Sequence, residues 1–69
     1  MENTERNDLI EICAQTADEY AKQEKDEALR FGKLAEKEPN NPQWKIAQAM
    51  HAIISVVCSR IAEDIRKLK

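Results

Sequence analysis

The 69-residue sequence is poor in the residues that interrupt helices or cross-link small proteins. It contains one glycine, two prolines, two cysteines and one histidine. A chain of this length buries only roughly 60% of its unfolded surface, so small domains usually add disulfides, a metal ion or self-association. Few cysteines and a single histidine leave self-association as the main candidate. The scarcity of glycine and proline is typical of a protein built from long helices.

The sequence also lacks a basic face, a secretion signal and a long apolar run. Charged residues make up 35% of the chain, both signs are interspersed, and the net charge is −2. Nucleic-acid-binding proteins normally show a basic face. Residues 1–13 lack the basic region and apolar run of a signal peptide, and the apolar run at 46–58 is too short to span a bilayer. We therefore expect one soluble cytoplasmic domain covering 1–69, with neither a nucleic-acid polymer nor a membrane as partner.

One break divides the chain, at the segment EKEPNNPQW. Pro39 disfavours helical geometry at the residue before it. Asn41 is a good N-cap, and Pro42 suits the first position of a helix because its missing N–H costs nothing there. The sequence therefore predicts an all-α fold in which two helices, at about 4–37 and 42–68, form an antiparallel hairpin.

Helical periodicity predicts which faces meet. A row of small residues along the first helix would allow close approach of a partner helix: Ala14, Ala17, Ala21, Ala28, Gly32 and Ala35. An overlapping stripe comprises Leu9, Cys13, Ala17, Tyr20, Ala28, Phe31 and Ala35. The second helix carries a stripe of larger apolar residues: Ile46, Met50, Ile53, Val57, Ile61, Ile65 and Leu68. We expect the two stripes to form the seam of the hairpin, with Glu24 about level with Val56 and Val57.

The segment IAQAMHAIISVVCS, residues 46–59, is apolar around most of its circumference. Its polar residues form one narrow strip: Gln48, His51, Ser55 and Ser59. One hairpin partner covers only one face of a helix, and leaving Ile54 or Val56 in water would forfeit roughly 1.5 to 3 kcal/mol each. We therefore predict a homo-oligomeric helical bundle, with a dimeric four-helix bundle the simplest form and higher closed oligomers an open alternative. The predicted interface residues are Ala49, Ile53, Ile54, Val56, Val57 and Cys58.

Catalytic and metal-binding patterns are weak. His51 is the single imidazole, and Cys58 lies seven residues beyond it, whereas helical zinc ligands need a spacing of three or four and two further ligands. Ser55 and Ser59 have only His51 as a base, with no evident acid to orient it. We expect no metal, no cofactor and no enzymatic activity, unless a composite site forms between subunits.

The two cysteines are too far apart for an intrachain disulfide in the predicted hairpin. If the chain turns near residue 40, Cys13 and Cys58 lie roughly 13 Å apart along the axis at 1.5 Å per residue. Buried thiols and a disulfide between subunits both remain open.

Trp44 lies in the first turn of the second helix, where free backbone N–H groups favour anions and an indole can stack on a ligand. The candidate residues for binding a small anionic ligand are Asn41, Trp44, Lys45 and Arg60. The alternative is that Trp44 closes the end of the hairpin against Leu34.

Two family resemblances involve the segment around Trp44. Residues 26–44 resemble the junction of a tetratricopeptide repeat in their Asp-Glu-Ala, Pro-Asn-Asn and following Trp, although no neighbouring repeat is present. Trp44 with Ile46-Ala47, an apolar helix and then Arg60-Ile61-Ala62 is similar to phage helical-hairpin proteins of the anti-CBASS and anti-Thoeris type. The acidic opening TERNDLI also fits that family, whereas the Gly-Phe pair associated with the middle of its second helix is missing.

The phage resemblance implies an anti-defence protein, a compact oligomer that sequesters a cyclic-nucleotide signal without turning it over. The alternative function is a self-associating helical adaptor or inhibitor that acts through a protein-protein contact.

Overall fold

A computed structural model of the chain describes residues 2–69, with side chains from residue 4 onward. It confirms an all-α hairpin of two helices, α1 (Glu2–Lys37) and α2 (Pro42–Arg66), packed along a rod 58 Å long. The second helix ends two residues earlier than predicted, because the last residues form a turn in which the Leu68 N–H donates to the Ile65 carbonyl at 3.0 Å.

The turn between the helices uses the residues that the sequence singles out. Asn41 has extended backbone geometry, and its side-chain oxygen accepts a hydrogen bond from the Gln43 N–H at 3.4 Å. Pro42 follows as the first residue of α2. The Asn41 N–H itself donates to the Glu38 carbonyl at 3.0 Å, which closes the turn. The predicted N-cap is therefore confirmed.

The core between the helices consists of alanine. Within the part of the chain that the structure describes, no large side chain is fully buried, and the buried residues are Ala14, Ala21, Ala28, Ala35 and Ala62. Four of these recur every seven residues along α1, the spacing of a coiled-coil seam. At Gly32 the approach is closer still, since a Cβ there would lie 2.7 Å from the Gln48 side-chain nitrogen. The predicted row of small residues is thus the face on which the second helix packs.

α2 turns His51, Ser55 and the buried Ala62, not its apolar stripe, toward this row, whereas Gln48 and Ser59 at the edge of the polar strip stay exposed. The Ser55 hydroxyl donates to the Ala21 carbonyl at 2.8 Å, and the His51 ring nitrogen Nδ1 is hydrogen-bonded to the Glu24 carboxylate. Both contacts need a short distance between the helix backbones, which alanines on α1 permit. The pairing of Glu24 with His51 also corrects the predicted register, which placed Glu24 level with Val56 and Val57.

The prediction that large apolar residues of α2 form the hairpin seam is therefore wrong. Six of the seven are exposed: Ile46, Met50, Ile53, Val57, Ile61 and Leu68. On α1, the predicted seam residues Leu9, Cys13 and Tyr20 are exposed as well. The physical reason is the spacing between the helices, since a face of alanines brings them too close for these side chains to fit between them, although Phe31, from the same predicted stripe, does stack on His51 nearer the turn.

Ion pairs connect the two helices at the end of the hairpin that lies away from the turn. Arg66 bonds Glu11 and Asp18, each at 2.8 Å, and Lys69 bonds Glu11 at 2.8 Å. Hydrogen bonds from Arg66 and Lys69 lower the pKa of Glu11 from 4.5 to about 2, and those from Glu11 and Asp18 raise the pKa of Arg66. Because the pKa of Glu11 is lower in the folded state, its contribution is present above pH 4.5 and is lost as the pH falls toward 2.

Candidate functional site: the outer face of the second helix

The most unusual surface of the molecule is the side of α2 that points away from α1. We call it the outer face, and it comprises Ile46, Ala49, Met50, Ile53, Ile54, Val56, Val57 and Ile61. Its seven large side chains keep 41% to 63% of their surface exposed. Their positions follow from the packing of the polar strip against α1. A helix that turns its polar side toward its partner leaves its apolar side exposed.

Exposed apolar residues on α1 do not form a comparable surface. Leu9, Ile12, Tyr20 and Leu29 are exposed; the first three share one side of α1 but are spread over three turns, and Leu29 lies on another side. Scattered apolar residues are common on soluble proteins, whereas a contiguous patch marks a surface that contacts a partner. The outer face of α2 is therefore the stronger candidate for function.

The predicted interface residues fall mainly on this surface. Ala49, Ile53, Ile54, Val56 and Val57 belong to the outer face, whereas Cys58 is half-buried. The sequence-based assignment missed Ile46, Met50 and Ile61, which it placed in the hairpin seam. The seven-residue repeat of alanines in α1 was the signal that could have corrected it, because small residues pack best against the small and polar strip.

By length and composition, α2 also satisfies a criterion for a membrane-spanning helix. The most apolar 18-residue window has a mean hydropathy of 1.2, and 6% of that window is buried. The sequence-based argument against a membrane considered only the uncharged run at 46–58, which is shorter than the complete helix. Core helices of soluble proteins meet the same criterion, but such helices are mostly buried.

The four predicted ligand-binding residues do not lie together in one hairpin. Asn41, Trp44 and Lys45 are at the turn, whereas Arg60 follows Lys45 by about 22 Å along the helix at 1.5 Å per residue. The Asn41 side chain is engaged as the helix cap.

Trp44 packs within the hairpin. Its ring is stacked on Phe31 with the ring centroids 5.8 Å apart, and its indole N–H donates to Glu38. Phe31 in turn stacks on His51, with their centroids 5.3 Å apart. Trp44 therefore closes the turn end of the hairpin, as the alternative interpretation predicted. Its ring stacks on Phe31, whereas that interpretation named Leu34 as the contact.

Arg60 lies instead at a groove along one side of the hairpin. The groove has a volume of about 800 Å³. Lys25 of α1 and Arg60 of α2 supply positive charge, Ser55 and Ser59 supply hydroxyl groups, and Glu63 also lines it. The volume is within the range of small-molecule sites, roughly 300 to 1,000 Å³.

The polar strip offers little for nucleophilic catalysis. Ser55 donates its hydroxyl proton to a backbone carbonyl rather than to His51, whereas an activated serine needs a base as its hydrogen-bond acceptor. Among the described residues, no three His, Cys, Asp or Glu side chains are grouped so as to hold a metal ion. Cys13 is exposed, Cys58 is half-buried, and both are free thiols.

Comparison of the chain with protein-family models, with curated proteins and with solved structures gives no match.

Proposed function

We propose that the chain is a non-enzymatic binding protein that works as a homo-oligomer, with the outer face of α2 buried between copies. The dimeric four-helix bundle is the simplest such assembly. In this proposal the charged sides of the bundle contact other proteins, as an adaptor or inhibitor does. The observation that supports it is the continuous apolar surface on a helix whose polar side is already occupied by α1.

The free energy associated with this surface is large for so small a protein. A large apolar side chain yields about 1.5 to 3 kcal/mol when fully buried, so seven half-exposed ones would yield about 5 to 10 kcal/mol more. A typical domain of this length has a total stability of about 3 to 10 kcal/mol. Covering the outer face thus matters as much to the free energy of the protein as folding the isolated hairpin does.

The mass of the particle in solution tests the proposal. At micromolar concentration, sedimentation velocity and native mass spectrometry should give a multiple of the 7.9 kDa chain mass, most simply twice that value. A monomer that circular dichroism shows to be helical would contradict self-association. Cosedimentation with phospholipid vesicles, with no oligomer in solution, would instead indicate that the outer face binds a membrane.

The groove beside Arg60 favours a second candidate function, the sequestration of a small anionic ligand such as a cyclic nucleotide. Neither Lys25 nor Arg60 forms an ion pair within the part of the chain that the structure describes. Two unpaired cations beside hydroxyl groups form a suitable environment for phosphate. This is also the function that the phage-protein resemblance implies.

Thermal shift experiments distinguish the two locations considered for such a ligand, the turn around Trp44 and the groove beside Arg60. A cyclic dinucleotide or an ADP-ribose derivative should raise the melting temperature of the wild-type protein. In the groove hypothesis, Arg60→Ala abolishes that shift, while Trp44→Ala lowers the baseline melting temperature and preserves the shift. The control is Lys33→Ala, which removes an exposed charge from α1. If none of these ligands shifts the wild-type melting temperature, the sequestration hypothesis is wrong.

A further inference from the structure

We propose that the partner on the outer face is a second copy of the chain whose α2 runs antiparallel, and that Lys45 and Glu63 select this orientation. The inference rests on the proposed self-association and adds the arrangement of the two copies. It also assigns a role to two exposed charges that form no ion pair within the part of the chain that the structure describes.

The spacing of the outer face matches that of a helix-pairing seam. Ile46, Met50, Ile53 and Val57 follow one another at intervals of four, three and four residues, the pattern by which one helix packs along another. A second copy carries the same pattern and is therefore a complementary partner. The large apolar residues of the outer face run from Ile46 to Ile61, so their midpoint lies between Ile53 and Ile54.

Lys45 and Glu63 flank this apolar span at its two ends. Glu63 follows Lys45 by 18 residues, which is five turns at 3.6 residues per turn, so both lie on the same side of α2. Both are exposed. Neither forms an ion pair with another described residue. They are opposite charges at equal heights above and below Ile54, which lies two and a half turns from each and therefore on the other flank of the outer face.

An antiparallel dimer brings these charges together. A two-fold axis perpendicular to α2 at Ile54 places each side of the helix against the same side of its copy, in reversed order. Lys45 then lies beside Glu63 of the second copy, and the pair occurs twice. In a parallel dimer each side meets the opposite side at the same height, where Lys45 meets Gln43 and Ala47 rather than a carboxylate.

The sizes of the apolar residues fit the same arrangement. With the axis at Ile54, Ala47 lies opposite Ile61 of the second copy, so a small side chain meets a large one. Ile54 lies opposite its own copy at the axis. Alternation of small and large residues allows two facing helices to interdigitate without voids. Charge and shape thus favour one register.

Charge reversal tests the orientation with substitutions at exposed positions. Lys45→Glu alone places Glu against Glu63 in both contacts of a homodimer, and Glu63→Lys alone places Lys45 against Lys. Each homodimer should dissociate roughly 10-fold more readily. An equimolar mixture should form a heterodimer with two restored ion pairs, and the double variant should dimerise as the wild type does. Sedimentation equilibrium and native mass spectrometry measure all four species.

Cysteine cross-linking tests the antiparallel orientation of the two copies independently of charge. In a Cys13→Ser/Cys58→Ser background, Ile46→Cys and Ile61→Cys proteins are mixed and oxidised, after sedimentation has shown that the background still self-associates. Trypsin cleaves after Lys45 and Arg60, so the two cysteines fall in different peptides. The antiparallel dimer yields the linked 46–61 peptide pair.

The outcomes separate this inference from the proposed function. Linkage of position 46 to itself, with no preference for the charge-complementary heterodimer, would overturn the antiparallel arrangement and leave self-association standing. A monomeric wild-type protein would overturn both. The 46–61 linkage together with the heterodimer preference supports the arrangement.

Discussion

Ile53→Lys should convert the assembly into monomers. Ile53 is 63% exposed in the hairpin and lies at the centre of the outer face, beside the proposed two-fold axis. Each copy loses the burial of the exposed part of one isoleucine, worth about 1 to 2 kcal/mol, and a dimer loses it twice. The dimer should therefore weaken by about 2 to 4 kcal/mol, or at least roughly 30-fold in its dissociation constant. Desolvation of the lysine adds to this loss.

Sedimentation velocity over a concentration series measures the effect of Ile53→Lys, with circular dichroism to follow helix content. The matched control is Gln23→Lys, which adds the same charge at an exposed position of α1 and should leave the association unchanged. Both a helical monomer and an unfolded monomer agree with an interface at Ile53. A variant that retains the wild-type mass at low micromolar concentration would place the interface elsewhere.

Ala21→Leu should destabilise the hairpin itself. Ala21 is 6% exposed, and its carbonyl accepts the Ser55 hydroxyl hydrogen bond. A leucine has no room between the helices unless they separate, and overpacking typically costs about 1 to 3 kcal/mol. Separation also weakens the Ser55 hydrogen bond. In a domain of this length, each kcal/mol lowers the melting temperature by about 4 to 8 °C.

Thermal and urea unfolding at one fixed protein concentration measure the change caused by Ala21→Leu, because the proposed self-association would make the melting temperature depend on concentration. Gln23→Leu is the control, since it adds the same side chain to the exposed side of α1. If Ala21→Leu melts at the same temperature as Gln23→Leu, the helices are not held at the close distance that the alanine core implies.

The sequence was sufficient to predict the hairpin because its signals are local. Pro39, Asn41 and Pro42 determine where one helix ends and the next begins, through backbone geometry and capping rather than long-range contacts. The row of small residues on α1 was also visible, since side chains seven residues apart lie on one face. These features need no knowledge of how the helices are arranged in space.

The side of α2 that contacts α1 was harder to predict. α2 carries a large apolar stripe and, opposite it, a strip that contains Gln48, His51 and Ser55. Hydrophobicity alone selects the apolar stripe for the seam, whereas the short distance between the helices selects the polar one. The decisive quantity is how closely a row of alanines lets the backbones approach, and it depends on both helices at once.

The candidate site was predictable only in part for the same reason. Ile54 and Val56 were recognised as surplus to a hairpin, but Ile46 and Met50 were assigned to its seam. Arg60 was grouped with Trp44 because both suit an anionic ligand, yet they lie far apart along α2. Chemical type alone does not specify distance along a helix.

Because its core consists of alanine, the lifetime of this protein in a cell should depend on its concentration. Alanines bury little apolar surface, so an isolated hairpin gains little free energy from folding, and in the proposed assembly most of the stability would come from association with further copies. For such a protein, the folded fraction rises with the concentration of the chain. At low abundance, more copies are unfolded and open to proteolysis, and at high abundance assembly protects them. A cell that makes the protein slowly would therefore keep disproportionately little of it.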